Sequence, residues 1–129
     1  MSRELKRILY VEDESDIRTI AVTVLEAVGG FEVVACSSGA DAVQAAPQAR
    51  ADLIVLDVMM PGMDGPATLD ALRQIPQTAR TPVIFMTAKV QPGEILHFKG
   101  LGAIDVIGKP FDPMKLSTQI REIWERCTG

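Results

Sequence analysis

Histidine and cysteine are scarce in this chain, with one and two copies in 129 residues. Cys36 and Cys127 stand in no metal-ligand spacing, which excludes a zinc ribbon or finger and leaves two free thiols as the expectation. His97 lies alone between glycines in a weakly patterned segment and reads as a surface residue. Long apolar runs are missing too. None approaches the ~18 residues that cross a bilayer, and the first, Ile8 to Val11, is too short for the core of a signal peptide. The expected location is therefore the cytoplasm, with no membrane partner. Lysine and arginine are scattered and the net charge is -4, so there is no basic face and no nucleic-acid binding is expected of this chain. With no repeat, linker or change of composition, residues 1–129 read as one domain.

What is present is a regular alternation of apolar runs and helical patterns, in a chain that is 47% apolar and 23% charged. Leu53-Ile54-Val55-Leu56 is unbroken and runs straight into Asp57. Such a run suits a strand buried on both faces, in the middle of a parallel sheet covered by helices. Ile8 to Val11, Phe31 to Cys36, Pro82 to Thr87 and Ala103 to Ile107 read as four more strands. Between them Ile17, Ile20, Ala21, Val24, Leu25 and Val28 mark a first helix. Ala40 to Ala46 marks a second, closed by Pro47. Pro66 opens a third that carries Leu69, Leu72 and Ile75 and stops at Pro76. A weaker segment runs from about Glu94 to Gly100, and a last helix from Pro113 to about Arg126 carries Leu116, Ile120, Ile123, Trp124 and Cys127. Five strands alternating with five helices predict a doubly wound α/β sheet with right-handed crossovers.

In open sheets of this kind the ligand crevice lies outside the carboxyl ends of the strands. Those ends supply Glu12 and Asp13, then Asp57, then Thr87, then Lys109. Each has an ordinary structural explanation when taken singly: a helix cap, a turn former, a solvated lysine. Arriving together at one rim they ask for a common one. Carboxylates ~4 Å apart repel by on the order of 4 kcal/mol at an effective dielectric of ~20, and a hard divalent cation relieves that. Mg²⁺ suits an all-oxygen donor set completed by waters and a phosphate oxygen. Lys109 and Thr87 suit the gripping of phosphoryl oxygens, and Asp57 the role of nucleophile, since carboxylates form aspartyl-phosphates. A turnover phosphohydrolase of the haloacid dehalogenase type is a competing reading, but it needs a second acid two residues after the nucleophile, where this chain has Met59. An interaction module that is never phosphorylated is a third reading, and such a module should have lost part of the set that this chain keeps.

Four stretches, Val11-Glu12-Asp13-Glu14, Asp57 to Gly65, Met86-Thr87-Ala88 and Lys109-Pro110-Phe111, together resemble the receiver domain of bacterial two-component response regulators, from about Arg7 to Cys127. The resemblance implies a flavodoxin-like sheet in the order 2-1-3-4-5. It implies Asp57 as phosphoacceptor and Glu12 with Asp13 as the acidic pair around Mg²⁺. Asp13, Asp57 and the Met59 backbone carbonyl would be direct ligands, Thr87 with Ala88 the switch segment, Lys109 the phosphate-contacting lysine and Lys109-Pro110 a cis peptide. The implied phosphodonor is a sensor histidine kinase or histidine phosphotransfer protein, the implied output an unidentified downstream protein target, and a homodimer is compatible with both. Any catalysis would be confined to the chain's own phosphorylation and dephosphorylation. Two departures from the family pattern stand out. Val106 replaces the aromatic residue often found three positions before the lysine. Met59 and Lys89 occupy the places that flank the path of hydrolytic water. With no output domain in view, the chain reads as a stand-alone regulator or as a receiver cut from a longer protein.

Overall fold

The computed structural model describes residues 4–128. Its five strands are β1 (Arg7–Val11), β2 (Glu32–Cys36), β3 (Leu53–Asp57), β4 (Val83–Thr87) and β5 (Asp105–Gly108). They form one parallel sheet in the order β2-β1-β3-β4-β5. The helices are α1 (Ser15–Ala27), α2 (Gly39–Ala49), α3 (Gly65–Arg73), α4 (Pro92–Gly100) and α5 (Leu116–Thr128), with a short 3-10 turn at Pro76–Thr78. This is the predicted doubly wound topology. None of the described helices is long and apolar enough to cross a membrane.

Alternation of side chains along the strands sends Leu9, Val11, Ile54, Leu56, Val83 and Phe85 to one apolar layer and Ile8, Tyr10, Leu53, Val55, Ile84 and Met86 to the other. Buried α2, α3 and α4 residues such as Ala42, Ala46, Leu69, Leu72 and Phe98 close the first layer. Ala21, Leu25, Leu116, Ile120 and Trp124 of α1 and α5 close the second. Because β1, β3 and β4 are flanked on both sides and covered on both faces, they are the continuously apolar runs of the sequence.

Several boundaries differ from the sequence expectation, among them β5, which runs Asp105–Gly108 rather than Ala103 to Ile107. Pro47 does not close α2, which continues to Ala49 and ends where Arg50 turns left-handed at φ 51. One missing backbone hydrogen bond is outweighed by the burial of Ala46 and Ala49. The last helix starts at Leu116 rather than Pro113, because Asp112 organises a turn first. Its Oδ1 accepts from the Met114 N–H at 3.0 Å and its carbonyl from Lys115 and Leu116. Ile75 falls outside α3, at the cap of the 3-10 turn. Two apolar stripes are also narrower than expected: Ile20 and Val28 of α1 are exposed, as is Cys127 of α5, whose thiol lies near the Ile104 carbonyl.

Candidate functional site

The carboxyl ends of β1, β3, β4 and β5 meet at one edge of the sheet, and the register sets which residues face one another there. Asp57 is paired with Met86 across β3 and β4, and Thr87 with Gly108 across β4 and β5. The chain leaves β1, β3 and β5 by a short tie to a neighbouring strand: Glu12 N–H to the Cys36 carbonyl, Val58 N–H to the Met86 carbonyl, Lys109 N–H to the Thr87 carbonyl. These bonds carry the sheet pattern one residue past the strands and so fix the backbone beneath the polar groups.

Glu12, Asp13 and Asp57 each bring one carboxylate oxygen to within 4.8 Å of the others. Glu12 and Asp57 are only 1% and 4% exposed, whereas Asp13 is half-buried. Lys109 reaches back into this group. Its Nζ lies 2.8 Å from Glu12 Oε1 and 3.3 Å from Asp57 Oδ2. The other Glu12 oxygen accepts from the Glu14 N–H at 3.3 Å. Glu12 and Asp57 thus share one ammonium, with Asp13 close by, and the deficit falls on Asp57. Burial, then the neighbouring Glu12, pushes the Asp57 carboxyl up to about 7. Burial also works to raise Glu12, but Lys109 and the hydrogen bonds around it outweigh that and hold it below the usual carboxylate range. For Lys109 burial works downward, and the two carboxylates more than reverse it. Tyr10, buried beneath with its hydroxyl near the Met86 sulfur, is raised by burial and by the same two acids.

Such a set can hold a hard divalent cation. It is all oxygen, two of its members are buried, and it lacks positive charge for neutrality. A cation would supply what Lys109 alone cannot, and would free the ammonium for an incoming anion.

The remaining predicted residues fall around this centre. Thr87 is buried, and its Oγ1 accepts from the Lys89 N–H at 3.1 Å. Ala88 and Lys89 are exposed on the β4–α4 loop. Met59, 73% exposed, follows Asp57 on the β3–α3 loop. That loop is held by a Gly65 N–H bond to the Val58 carbonyl and by Asp64, which caps α3 through Ala67 N–H at 2.9 Å. Gly65 itself has no room for a side chain, since a Cβ would stand 2.7 Å from the Asp57 carbonyl and 2.8 Å from Val58 Cα. The Lys109-Pro110 peptide is cis. Val106 is half-buried against the apolar layer beneath α4.

Sequence reasoning missed two contributors. Arg18 donates through Nη1 to the Glu12 carbonyl at 2.9 Å and the Asp13 carbonyl at 3.5 Å, tying the acidic loop to α1. Its place one turn into the helix was the available signal. The Glu12–Lys109 ion pair was the second. Its partners lie far apart in the sequence and on strands that β3 and β4 separate, so the pair forms because the long Lys109 side chain reaches back along the sheet edge past Asp57 to Glu12.

A family model, the response regulator receiver domain, matches residues 8–121. The alkaline phosphatase synthesis transcriptional regulatory protein PhoP of Bacillus subtilis is 37% identical over 121 residues, 94% of this chain and 49% of that protein. The transcriptional regulatory protein GltR of Pseudomonas aeruginosa is 36% identical over 127 residues, 98% of this chain and 52% of that protein. The chain therefore spans about half the length of the curated relatives it matches. Among solved structures, the Vibrio cholerae chemotaxis protein CheY4 superposes with a TM-score of 0.84 at 31% identity, over 93% of this chain and 99% of that one. The receiver domain of a Pseudomonas aeruginosa sensor histidine kinase, solved with a magnesium ion coordinated in its active site cleft, superposes with a TM-score of 0.80 at 28% identity, over 98% and 99% of the two chains. The sheet order, the acidic edge with its lysine and these likenesses agree: the chain belongs to the response regulator receiver domains of two-component systems.

Proposed function

We propose that this receiver takes a phosphoryl group on Asp57, from a sensor histidine kinase or a histidine phosphotransfer protein, and passes the signal to a downstream protein by a change of shape. The observation that carries this reading is the placement of Asp57. It is a buried carboxylate at the centre of the acidic group, with Lys109 Nζ 3.3 Å from its Oδ2. A carboxylate oxygen of Asp57 attacks phosphorus, the phosphorus–nitrogen bond of the phosphohistidine breaks, and the imidazole leaves with its electron pair. Glu12, Asp13 and Asp57 are the side chains that would hold Mg²⁺, with the Met59 carbonyl as a further ligand by likeness to the family. Bound there, Mg²⁺ would offset the ~1.5 to 2 negative charges that arrive with the phosphoryl group. Lys109 turns from its carboxylate partners to a phosphoryl oxygen, and Thr87 donates its hydroxyl to another. The chain acts on no other substrate in this reading and is not a turnover enzyme. It acts in the cytoplasm, where such donors are found, and contacts no nucleic acid itself.

Incubation with acetyl phosphate and Mg²⁺, followed by intact mass measurement, should show one added phosphoryl group. Asp57→Asn should take none, and excess chelator should stop labelling of the parent. An Asp57→Asn chain labelled to the parental extent would sink the assignment.

A further inference from the structure

We infer that Val90 is a latch, an apolar side chain on the β4–α4 loop that seats on the Gly108 backbone and holds the loop in its unphosphorylated arrangement. The inference rests on the function proposed above and concerns how that site is regulated.

Gly108 is the last residue of β5, directly before Lys109 and paired across the sheet with Thr87. It is not one of the positive-φ glycines, which are Gly30, Gly62 and Gly102 among the described residues. What glycine supplies here is space rather than an unusual backbone. A Cβ at this position would stand 3.3 Å from Val90 Cγ1 and 3.6 Å from Cγ2, the first closer than ordinary van der Waals contact. Both Val90 methyl groups therefore border the space that any side chain at position 108 would fill. Val90 is nevertheless 43% exposed, so the contact is one-sided and can be left without opening the core.

Val90 sits over the one register pair that joins the switch hydroxyl to the lysine. Thr87 Oγ1 accepts from Lys89 N–H, and the Thr87 carbonyl accepts from Lys109 N–H at 2.9 Å. Lys109 Nζ is held by Glu12 and Asp57. Lys109 Nζ is thus engaged by its carboxylates, the Thr87 oxygen is held on the side of the Lys89 N–H, and Val90 is seated while they are. When the Thr87 side chain rotates toward Asp57 it gives up the Lys89 N–H, and the residues that follow lose the bond that folds them back over β5. Seating of Val90 and capture of phosphate by Thr87 then oppose one another. By linkage, weakening the seat raises affinity for a phosphoryl group without touching the residues that bind it.

The test uses beryllofluoride with Mg²⁺ as the phosphoryl stand-in, titrated by calorimetry, with hydrogen exchange of residues 88–94 as a second readout. Val90→Ala should speed exchange of these amides several-fold in the unliganded chain and tighten beryllofluoride about three- to tenfold. Gly108→Ala, which displaces Val90 from the other side, should do the same. In the double variant the second substitution should add little, because both remove one contact. The latch is overturned if Val90→Ala leaves exchange and affinity unmoved, if it weakens beryllofluoride, which would place the contact in the liganded state, or if the two substitutions add in full. If the parent chain takes no beryllofluoride, the phosphoacceptor reading fails and the latch falls with it. If the parent binds and the variants match it, that reading stands and the latch alone is lost.

Discussion

At the scale of single residues the site is a charge imbalance built into a fold. Asp57 is raised to about 7 from an ordinary 3.8 because it is buried beside Glu12 with one shared lysine. Between those values the folded chain keeps a proton that the unfolded chain has released. Stability contributed by this group is therefore lost as pH rises through that interval, and none remains above it. Asp57→Asn should accordingly stabilise the metal-free chain by about 1–3 kcal/mol near neutral pH, since each tenfold weakening of a buried acid corresponds to ~1.4 kcal/mol. Urea denaturation in chelator checks this, and the gain should shrink toward pH 4. Lys109→Ala works the other way. It leaves Glu12 buried without its ammonium and should cost about 2–4 kcal/mol, a loss that Mg²⁺ should partly restore. A Lys109→Ala chain as stable as its parent would mean that the 2.8 Å pair contributes little. Met59 is the exposed residue nearest in sequence to the phosphoacceptor, and its thioether orients a water poorly. Met59→Asn should shorten the lifetime of the phosphorylated form severalfold, read as phosphate release over time. An unchanged or longer lifetime would remove water access at this position as the controlling factor.

At the scale of elements, the β4–α4 segment is the part that must answer the site. Val106 is short, β-branched and packed under α4 against a layer that includes Phe85 and Phe98, whose rings meet edge to face with centroids 5.3 Å apart. It has no reach for a ring-like swing. Val106→Ala should leave phosphorylation-dependent partner binding largely intact, whereas Thr87→Ala should uncouple binding from labelling. A valine variant that labels normally and binds nothing would make Val106 a switch element. This segment is also where sequence reading was weakest. The strands were legible because β1, β3 and β4 are buried on both faces and show no alternation to misread. α4 was read only as a weaker segment from about Glu94, since its glycine flanks and mixed faces lower any periodic signal; it is present and starts two residues earlier, where Pro92 opens it, with Phe98 as its anchor. Pro47 misled because a local rule met two buried alanines one turn apart. The start of α5 was misplaced because an Asp112 turn looks, in sequence, like the first turn of a helix. Of the site, the residues at the strand ends could be named from the sequence, since a polar group ending an apolar run is conspicuous. Their pairing could not: Lys109 reads as a phosphate ligand, and its engagement with Glu12 depends on a side chain reaching across an edge where β3 and β4 lie between the two strands.

At the scale of the whole molecule, Glu12, Asp13, Asp57, Thr87 and Lys109 all hang from the ends of strands, and the sheet is the support they have in common. β5 is the shortest strand and an edge strand, yet it alone delivers Lys109. Its register with β4 sets where the ammonium stands. A strand advances ~3.3 Å per residue, which is as large as the 2.8 and 3.3 Å separations that hold Lys109 between two carboxylates. A slip of one residue would also turn Ile107 from its apolar layer to the opposite face. The molecule therefore tolerates changes of length very unevenly. Residues added in the turn between α2 and β3, at the opposite end of the strands, leave the site where it is. One residue added within Asp105–Gly108 moves a positive charge by its own contact distance, so that an insertion far too small to alter the fold's outline would take from the acidic group the ammonium that balances it.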